Sequence, residues 1–176
     1  MIEGQLTTIE AVRAFALAGN ATLTIVSKRT RQRFTFKVKV PENVDRERPV
    51  WHVSVLTGAD NATDFRYLGT IFGTRGGSES PVYRPGRRSS IGVSALSAVA
   101  WRWFFTQAFC KTTSPLLDQT EVWHEGRCGR CGRKLTVPES VASGFGPECS
   151  NVMGASRPTF AKQELSAERQ LELFTN

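Results

Sequence analysis

Two hydrophobic periods alternate along the first half of the chain. Ile9, Val12, Phe15 and Ala16 recur at helical spacing, and Thr7 followed by Glu10 forms a capping box in which each side chain satisfies a free backbone N–H. Gly19-Asn20 stops that helix. The period then drops to two. Thr22-Leu23-Thr24-Ile25-Val26 alternates as a strand, Ser27 to Gln32 makes a polar turn, and Arg33 to Val40 makes a second strand. In that second strand Phe34, Phe36, Val38 and Val40 share the core face, while Arg33, Thr35, Lys37 and Lys39 line the other. Trp51 to Leu56 and Tyr67 to Phe72 are two further strands, joined by the turn formers Thr57-Gly58-Ala59-Asp60-Asn61. Pro41 to Pro49 reads as a charged loop, and Gly73 to Gly92 as a flexible one.

Helical spacing returns over Ser94 to Phe109, with Leu96, Val99, Trp103 and Phe104 on one side. Lys111 to Thr120 links this helix to a cysteine-bearing segment. Past Ser156-Arg157-Pro158, an amphipathic helix spans Lys162 to Phe174 with Leu165, Leu171 and Leu173. The pattern predicts an α+β fold: a small antiparallel sheet with flanking helices, plus a C-terminal zinc module resembling a treble clef. Residues 1–110 form the α+β domain (a helix, about four strands and a long apolar helix), residues 121–154 the zinc module, and residues 155–176 the C-terminal amphipathic helix.

The module rests on its cysteines. Cys128-Gly129-Arg130-Cys131-Gly132 is a knuckle whose two-residue gap lets both thiolates reach one ion, and whose glycines let backbone N–H groups turn toward the sulfurs. A third thiolate arrives in Gly144-Phe145-Gly146-Pro147-Glu148-Cys149, a run that places a ligand in the first turn of a helix. Tetrahedral zinc needs a fourth ligand. His124, just upstream of the knuckle, is preferred for it, giving a Cys3His site; Cys110, at the end of the apolar helix, is the rival. A thioredoxin-type Cys-x-x-Cys pair would leave the third cysteine unexplained. The zinc reads as structural, because the His124-Glu125 stretch lacks deaminase spacing and the two histidines are too few for an HNH-type nuclease.

Charge changes the picture next. The chain carries 23 lysines and arginines against 16 acids, a net charge of +7, which favours polyanionic partners. Lys28, Arg29, Arg31, Arg33, Lys37 and Lys39 gather on the hairpin over residues 28–39, Arg87 and Arg88 lie in the Gly- and Arg-rich loop, and Arg130 and Arg133 flank the knuckle. A basic sheet face fed by a basic hairpin is suited to tracking phosphates. Stacking on bases would need exposed rings on that face, and Phe34 and Phe36 point away from it, which argues against a single-strand stacking platform. His52 reads as a strand residue rather than a catalyst. No P-loop, nucleophile elbow or two-metal carboxylate cluster occurs, so no enzyme and no small-molecule substrate are expected. No apolar run approaches the ~20 residues a membrane-spanning helix needs, and the N-terminal residues lack a signal-peptide pattern, so a cytoplasmic protein is expected.

The stretch Trp123 to Ser140, closing with Gly144-Phe145-Gly146-Pro147-Glu148-Cys149, resembles a family of small phage- and prophage-encoded proteins of uncharacterised function. Arg33-Phe34-Thr35-Phe36, Val53 to Gly58 and Tyr67 to Ile71 are similar to the upstream part of such proteins, so the resemblance spans most of residues 14–150. It implies a phage or mobile-element origin and a bacterial host cell. The function expected is a non-enzymatic, zinc-stabilised protein that binds nucleic acid, DNA or RNA. The alternative is an inhibitor that binds a host defence or transcription protein.

Overall fold

The computed structural model describes residues 4–42, 49–73 and 80–154; the helix expected over residues 162–174 lies outside the described residues. In chain order the elements are β1 (Gln5–Leu6), α1 (Ile9–Ala16), β2 (Asn20–Ser27), β3 (Arg33–Lys39), β4 (Val50–Leu56), β5 (Phe65–Phe72), β6 (Val82–Pro85), α2 (Leu96–Phe105), α3 (Leu116–Gln119), β7 (Thr120–His124), α4 (Pro138–Ser143) and α5 (Pro147–Met153). The fold is α+β, and its sheet is larger than the small one expected. Seven strands pair antiparallel in the order β1-β7-β2-β3-β4-β5-β6.

Three strands escape the sequence pattern, each for a physical reason. β1 has two residues, too few to show a period. β6 lies inside the stretch read as a flexible loop, where Pro85 counts against a strand; as the outermost strand beside β5 it can accept a proline, because one of its edges needs no ladder partner. β7 alternates, burying Thr120, Val122 and His124, but two of its three inward residues are polar. It is nonetheless an interior strand, pairing Leu6 with Val122 on one side and Ile25 with Val122 on the other.

Helix α1 begins one residue later than the capping box predicts. Thr8, not Thr7, is the cap, its hydroxyl accepting from the Ala11 N–H at 3.2 Å. The face of α2 also differs from the expected one. Ala98, Trp101, Phe104 and Phe105 are buried, while Leu96 and Val99 are 65% and 43% exposed. The large rings decide the rotation: Trp101 packs on Phe36 at 5.0 Å and on Phe104 at 5.3 Å between centroids, and its area outweighs that of two aliphatic residues near the helix start. Beyond α2 the chain widens into a π-helical turn, Thr106–Cys110. Arg13 of α1 clasps this turn, donating to the Ala108 carbonyl and, at 3.1 Å, to that of Lys111.

Both α1 and α2 pack on the sheet face that carries Leu23, Phe36, Val38, Val53 and Ile71. Trp51 reaches from β4 to donate its indole N–H to the Leu17 carbonyl at 3.0 Å, tying the end of α1 to the sheet. Trp51→Phe keeps most of the packing but orphans that carbonyl, so it should lower unfolding free energy by about 1 kcal/mol. Chemical denaturation measures this; an unchanged midpoint would mean that water replaces the indole.

One irregularity sets what the other sheet face displays. Val53 pairs with Gly69 but Ser54 pairs with Tyr67, so Leu68 is an extra residue bulged out of the β4–β5 ladder. Leu68 is buried, and a Cβ on Gly69 would lie 2.6 Å from the Tyr83 hydroxyl and 2.5 Å from the Arg84 carbonyl oxygen. Two successive residues therefore point inward, and the alternation of β5 changes phase there. Tyr67 on one side of the bulge and Thr70 on the other come to share the outer face, with their hydroxyls 2.6 Å apart.

Candidate metal centre and sheet face

Residues 126–135 form a tight hairpin. Arg127 bridges Lys134, the Cys128 N–H donates to the Arg133 carbonyl at 2.9 Å, and the Leu135 N–H to that of Gly126 at 2.8 Å. Gly132, at φ +74°, closes the turn in the left-handed region, and its N–H donates to the Cys128 carbonyl at 2.9 Å. This reversal brings the sulfurs of Cys128 and Cys131 together. Cys149 comes from elsewhere: Pro147 starts α5, and Cys149 is its third residue, in the first turn.

The three sulfurs lie within 4.8 Å of one another and could hold a metal ion. Three thiolates on one ion with bonds of about 2.3 Å would sit roughly 3.8 Å apart, so little movement is needed. Burial pushes the Cys128 thiol up, but the backbone N–H groups of Cys131, Gly146 and Arg130 more than offset it and bring it down to about 7. Burial raises Cys149, and the neighbouring Cys128 and Cys131 sulfurs raise it further, while the Arg130 guanidinium, 3.9 Å from its sulfur, opposes them. Crowded thiols that resist sharing negative charge are what a bound cation would relieve.

His124 is not in this cluster. Its Nδ1 accepts from the Gly126 N–H at 3.0 Å and its Nε2 lies 2.7 Å from the Val141 carbonyl, a pattern that fits a neutral ring with its proton on Nε2. Burial keeps the ring's pKa low against the opposing pull of the Val141 carbonyl and Glu125. The expected Cys3His set is therefore corrected: His124 joins β7 to α4 and packs on Phe15, with centroids 5.2 Å apart. Cys110 is exposed at the end of the π-helical turn and is not in the cluster either. Among the described residues, only the three cysteines form such a group. They open onto a cavity of about 350 Å³, also lined by Arg130, Arg133, Ser140 and Glu148.

The hairpin is seated on the sheet by Phe15. A Cβ on Gly129 would lie 2.8 Å from the Phe15 ring, and one on Gly144, which is held at φ +77°, would lie 2.6 Å from it. Both glycines let backbone close on the ring, and the Gly129 N–H donates to the Gly144 carbonyl at 3.0 Å. The Asn20 N–H donates to the Gly129 carbonyl at 2.7 Å, connecting the knuckle to the start of β2.

The basic residues expected to hold nucleic acid are divided among several places. Lys28 and Arg29 line a hollow of about 770 Å³ on the helix side of the sheet, with Phe34, Trp103 and Asp118, and the Lys28 ammonium donates to the Leu117 carbonyl at 2.7 Å. Arg31 is paired with Glu121 at 2.9 Å. Arg33, Lys37 and Lys39 lie on the outer sheet face, in register with Val26, Thr22 and Asn20 of β2. Arg87 and Arg88 are exposed just after β6, and Arg130 and Arg133 are exposed at the cysteine hairpin.

The outer face also carries side chains that the pattern of β3 alone does not reveal. His52 sits in register between Lys39 and Thr70, and Arg84 lies opposite Thr70 on the next strand. Phe65, Tyr67 and Phe72 add rings on β5. Lys37 Nζ stands 4.5 Å from the Phe65 centroid and the Arg84 guanidinium 5.6 Å from that of Phe72. The signal was the alternation of β4 and β5, readable only once the bulge at Leu68 is known.

Compared with known families, residues 119–154 match a family of unknown function (DUF6011). The match takes in β7, the cysteine hairpin, α4 and α5, and is shorter than the 14–150 span of the resemblance. No curated protein and no solved structure matches the chain. No helix among the described residues is long and apolar enough to cross a membrane.

Proposed function

We propose that the protein is a zinc-stapled nucleic-acid-binding protein that acts by binding rather than by catalysing a reaction. The observation that carries this reading is the outer sheet face, where Arg33, Lys37 and Lys39 project from β3 and Arg84 from β6. Cations spaced across a sheet suit a phosphate backbone, since each contact releases condensed counterions. Zinc is the metal proposed for the three cysteines, because soft thiolates delivered by a knuckle and a helix start favour it and cytosolic thiols stay reduced. Hairpin, connector and helix with a ligand in its first turn is the arrangement of a treble clef, and the metal would then staple α5 to the knuckle. His124 favours this structural role over a catalytic one, because both ring nitrogens are engaged in holding β7 to its neighbours. The phage or mobile-element origin rests on the sequence resemblance alone.

Fluorescence anisotropy with labelled single-stranded DNA, duplex DNA and RNA, at low and physiological salt, tests the reading. Micromolar or tighter binding with a steep salt dependence is expected. Reversing Lys37 and Lys39 together to Glu should weaken binding at least tenfold and reduce the log–log salt slope by about 1.4, the amount for two single-strand phosphate contacts. Unchanged affinity in that variant would remove the outer face from the reading. Binding to none of the polymers would remove nucleic acid altogether and turn the search to protein partners.

A further inference from the structure

The charges on the outer face account for attraction to any polyanion; the rings among them select one kind. We infer that this face is a stacking platform for single-stranded nucleic acid, on which His52 and Phe72 receive unpaired bases while Lys37, Lys39 and Arg84 hold the intervening phosphates. The inference rests on the nucleic-acid reading and narrows it to one form of the polymer.

Position argues for it first. His52 is exposed on β4, and Phe72 is 41% exposed on β5. The residue opposite His52 is Thr70, and Phe72 is two positions further along the same strand, so the two rings are diagonal neighbours. Such neighbours stand roughly 7–8 Å apart, close enough for consecutive bases splayed across the sheet. Unstacked bases can lie flat on rings exposed on a sheet, which suits a single strand.

The rings are also held in place. The Tyr67 hydroxyl is fixed by Thr70 at 2.6 Å, and the Tyr67 ring meets His52 edge-on, 5.6 Å between centroids. Tyr67 therefore supports the histidine ring rather than competing for a base. Phe65 is covered by the Lys37 ammonium and acts as its rest. That leaves His52 and Phe72 with exposed surface. The Arg84 guanidinium, 5.6 Å from the Phe72 centroid, stands beside that ring, where it can meet the phosphate of a nucleotide stacked there.

Shape and charge complete the case. A hollow of about 310 Å³ beside His52 is lined by Lys37, Lys39 and Ser54, with Glu42 as an acid on its wall. Two ammonium groups beside an exposed imidazole form a seat for one nucleotide, its phosphate between the lysines and its base on the ring. Glu42 works against the phosphate, and removing its charge should strengthen binding.

The experiment compares one 12-mer sequence as single-stranded DNA, as RNA and as a duplex, with the full chain and with His52→Ala and Phe72→Ala. Both residues are exposed, so each variant should keep the parent melting temperature. The expected result is single-strand binding at least tenfold tighter than duplex binding, a roughly tenfold loss in each variant, and a salt slope left unchanged by either. That unchanged slope separates stacking from the loss of slope expected on reversing Lys37 and Lys39. The DNA and RNA arms show which sugar is preferred. Photocrosslinking of the unaltered protein to a single strand gives an independent reading, with adducts expected on peptides holding His52, Tyr67 or Phe72. Nucleic-acid binding that prefers duplex, is untouched by both variants, or crosslinks only elsewhere would overturn the platform and leave the broader reading standing. No binding by the unaltered protein to any of the three would overturn both.

Discussion

Cys128→Ser is expected to abolish binding of the proposed zinc and unfold the segment from Gly126 to Met153. Cys128 is the most enclosed of the three sulfurs, fully buried and faced by backbone N–H groups of Cys131, Gly146 and Arg130. No hydroxyl replaces a thiolate as a zinc ligand, and two remaining cysteines cannot hold the hairpin to α5. Structural zinc sites in isolated finger peptides supply about 10–16 kcal/mol of coupled binding and folding. Losing even a third of that should lower the melting temperature by about 7–20 °C, at about 2–4 °C per kcal/mol for a chain of this size. Metal analysis should give one zinc per parent chain and none in the variant, and chelation of the parent should reproduce the variant's melting curve. A metal-free parent that melts at the same temperature as the metallated one would refute the stapling role.

Phe15→Ala should be the most damaging change outside the cysteines. Its ring touches α1's neighbours on every side: His124 at 5.2 Å and Phe145 at 6.0 Å between centroids, with the backbones of Gly129 and Gly144 closed against it. Removing a buried aromatic ring costs about 3–5 kcal/mol. Here the cavity would open between the sheet and the cysteine hairpin, so the loss should also be local. Hydrogen exchange at Gly129 and Gly144 should rise more than at the β3–β4 pairs, while metal content stays at one ion per chain. Equal protection of the hairpin in parent and variant would show that the metal alone positions it. Phe15→Leu, which refills most of the space, should restore much of the stability.

Much of this architecture can be read from the residues, and the failures are instructive. Strands β2 to β5 are legible because each has one wet face and one dry face, so the alternation of Phe34, Phe36 and Val38 with Lys37 and Lys39 fixes both element and orientation. The gathering of three cysteines was legible from knuckle spacing and from Gly-x-Gly-Pro before Cys149. His124 shows the limit of such reasoning. Proximity along the chain made it a ligand, but β-strand geometry points its ring at Phe15 and gives both nitrogens backbone partners before any ion could claim one. The outer-face rings of β5 were hidden for another reason. A single inserted residue, Leu68, reverses the parity of β5, and parity carries all the information a strand pattern holds about facing. β7 was invisible because it buries Thr120 and His124, polar groups whose cost is met by the Leu116 carbonyl at 2.6 Å and by Val141.

That same β7 governs the order in which the molecule can assemble. Leu23 finds its neighbour His124 about a hundred residues further along the chain. During synthesis β2 must wait, paired on one side with β3 and bare on the other, until that late segment emerges. Closing so long a loop is slow compared with zipping adjacent hairpins, and an unpaired strand of Leu23, Ile25 and Val26 is adhesive while it waits. The cysteine hairpin follows β7 within a few residues, so an early metal-bound hairpin would deliver the missing strand already tethered to a folded body. Metal supply would then set how long a sticky half-sheet persists in the cell, as well as how stable the finished protein is.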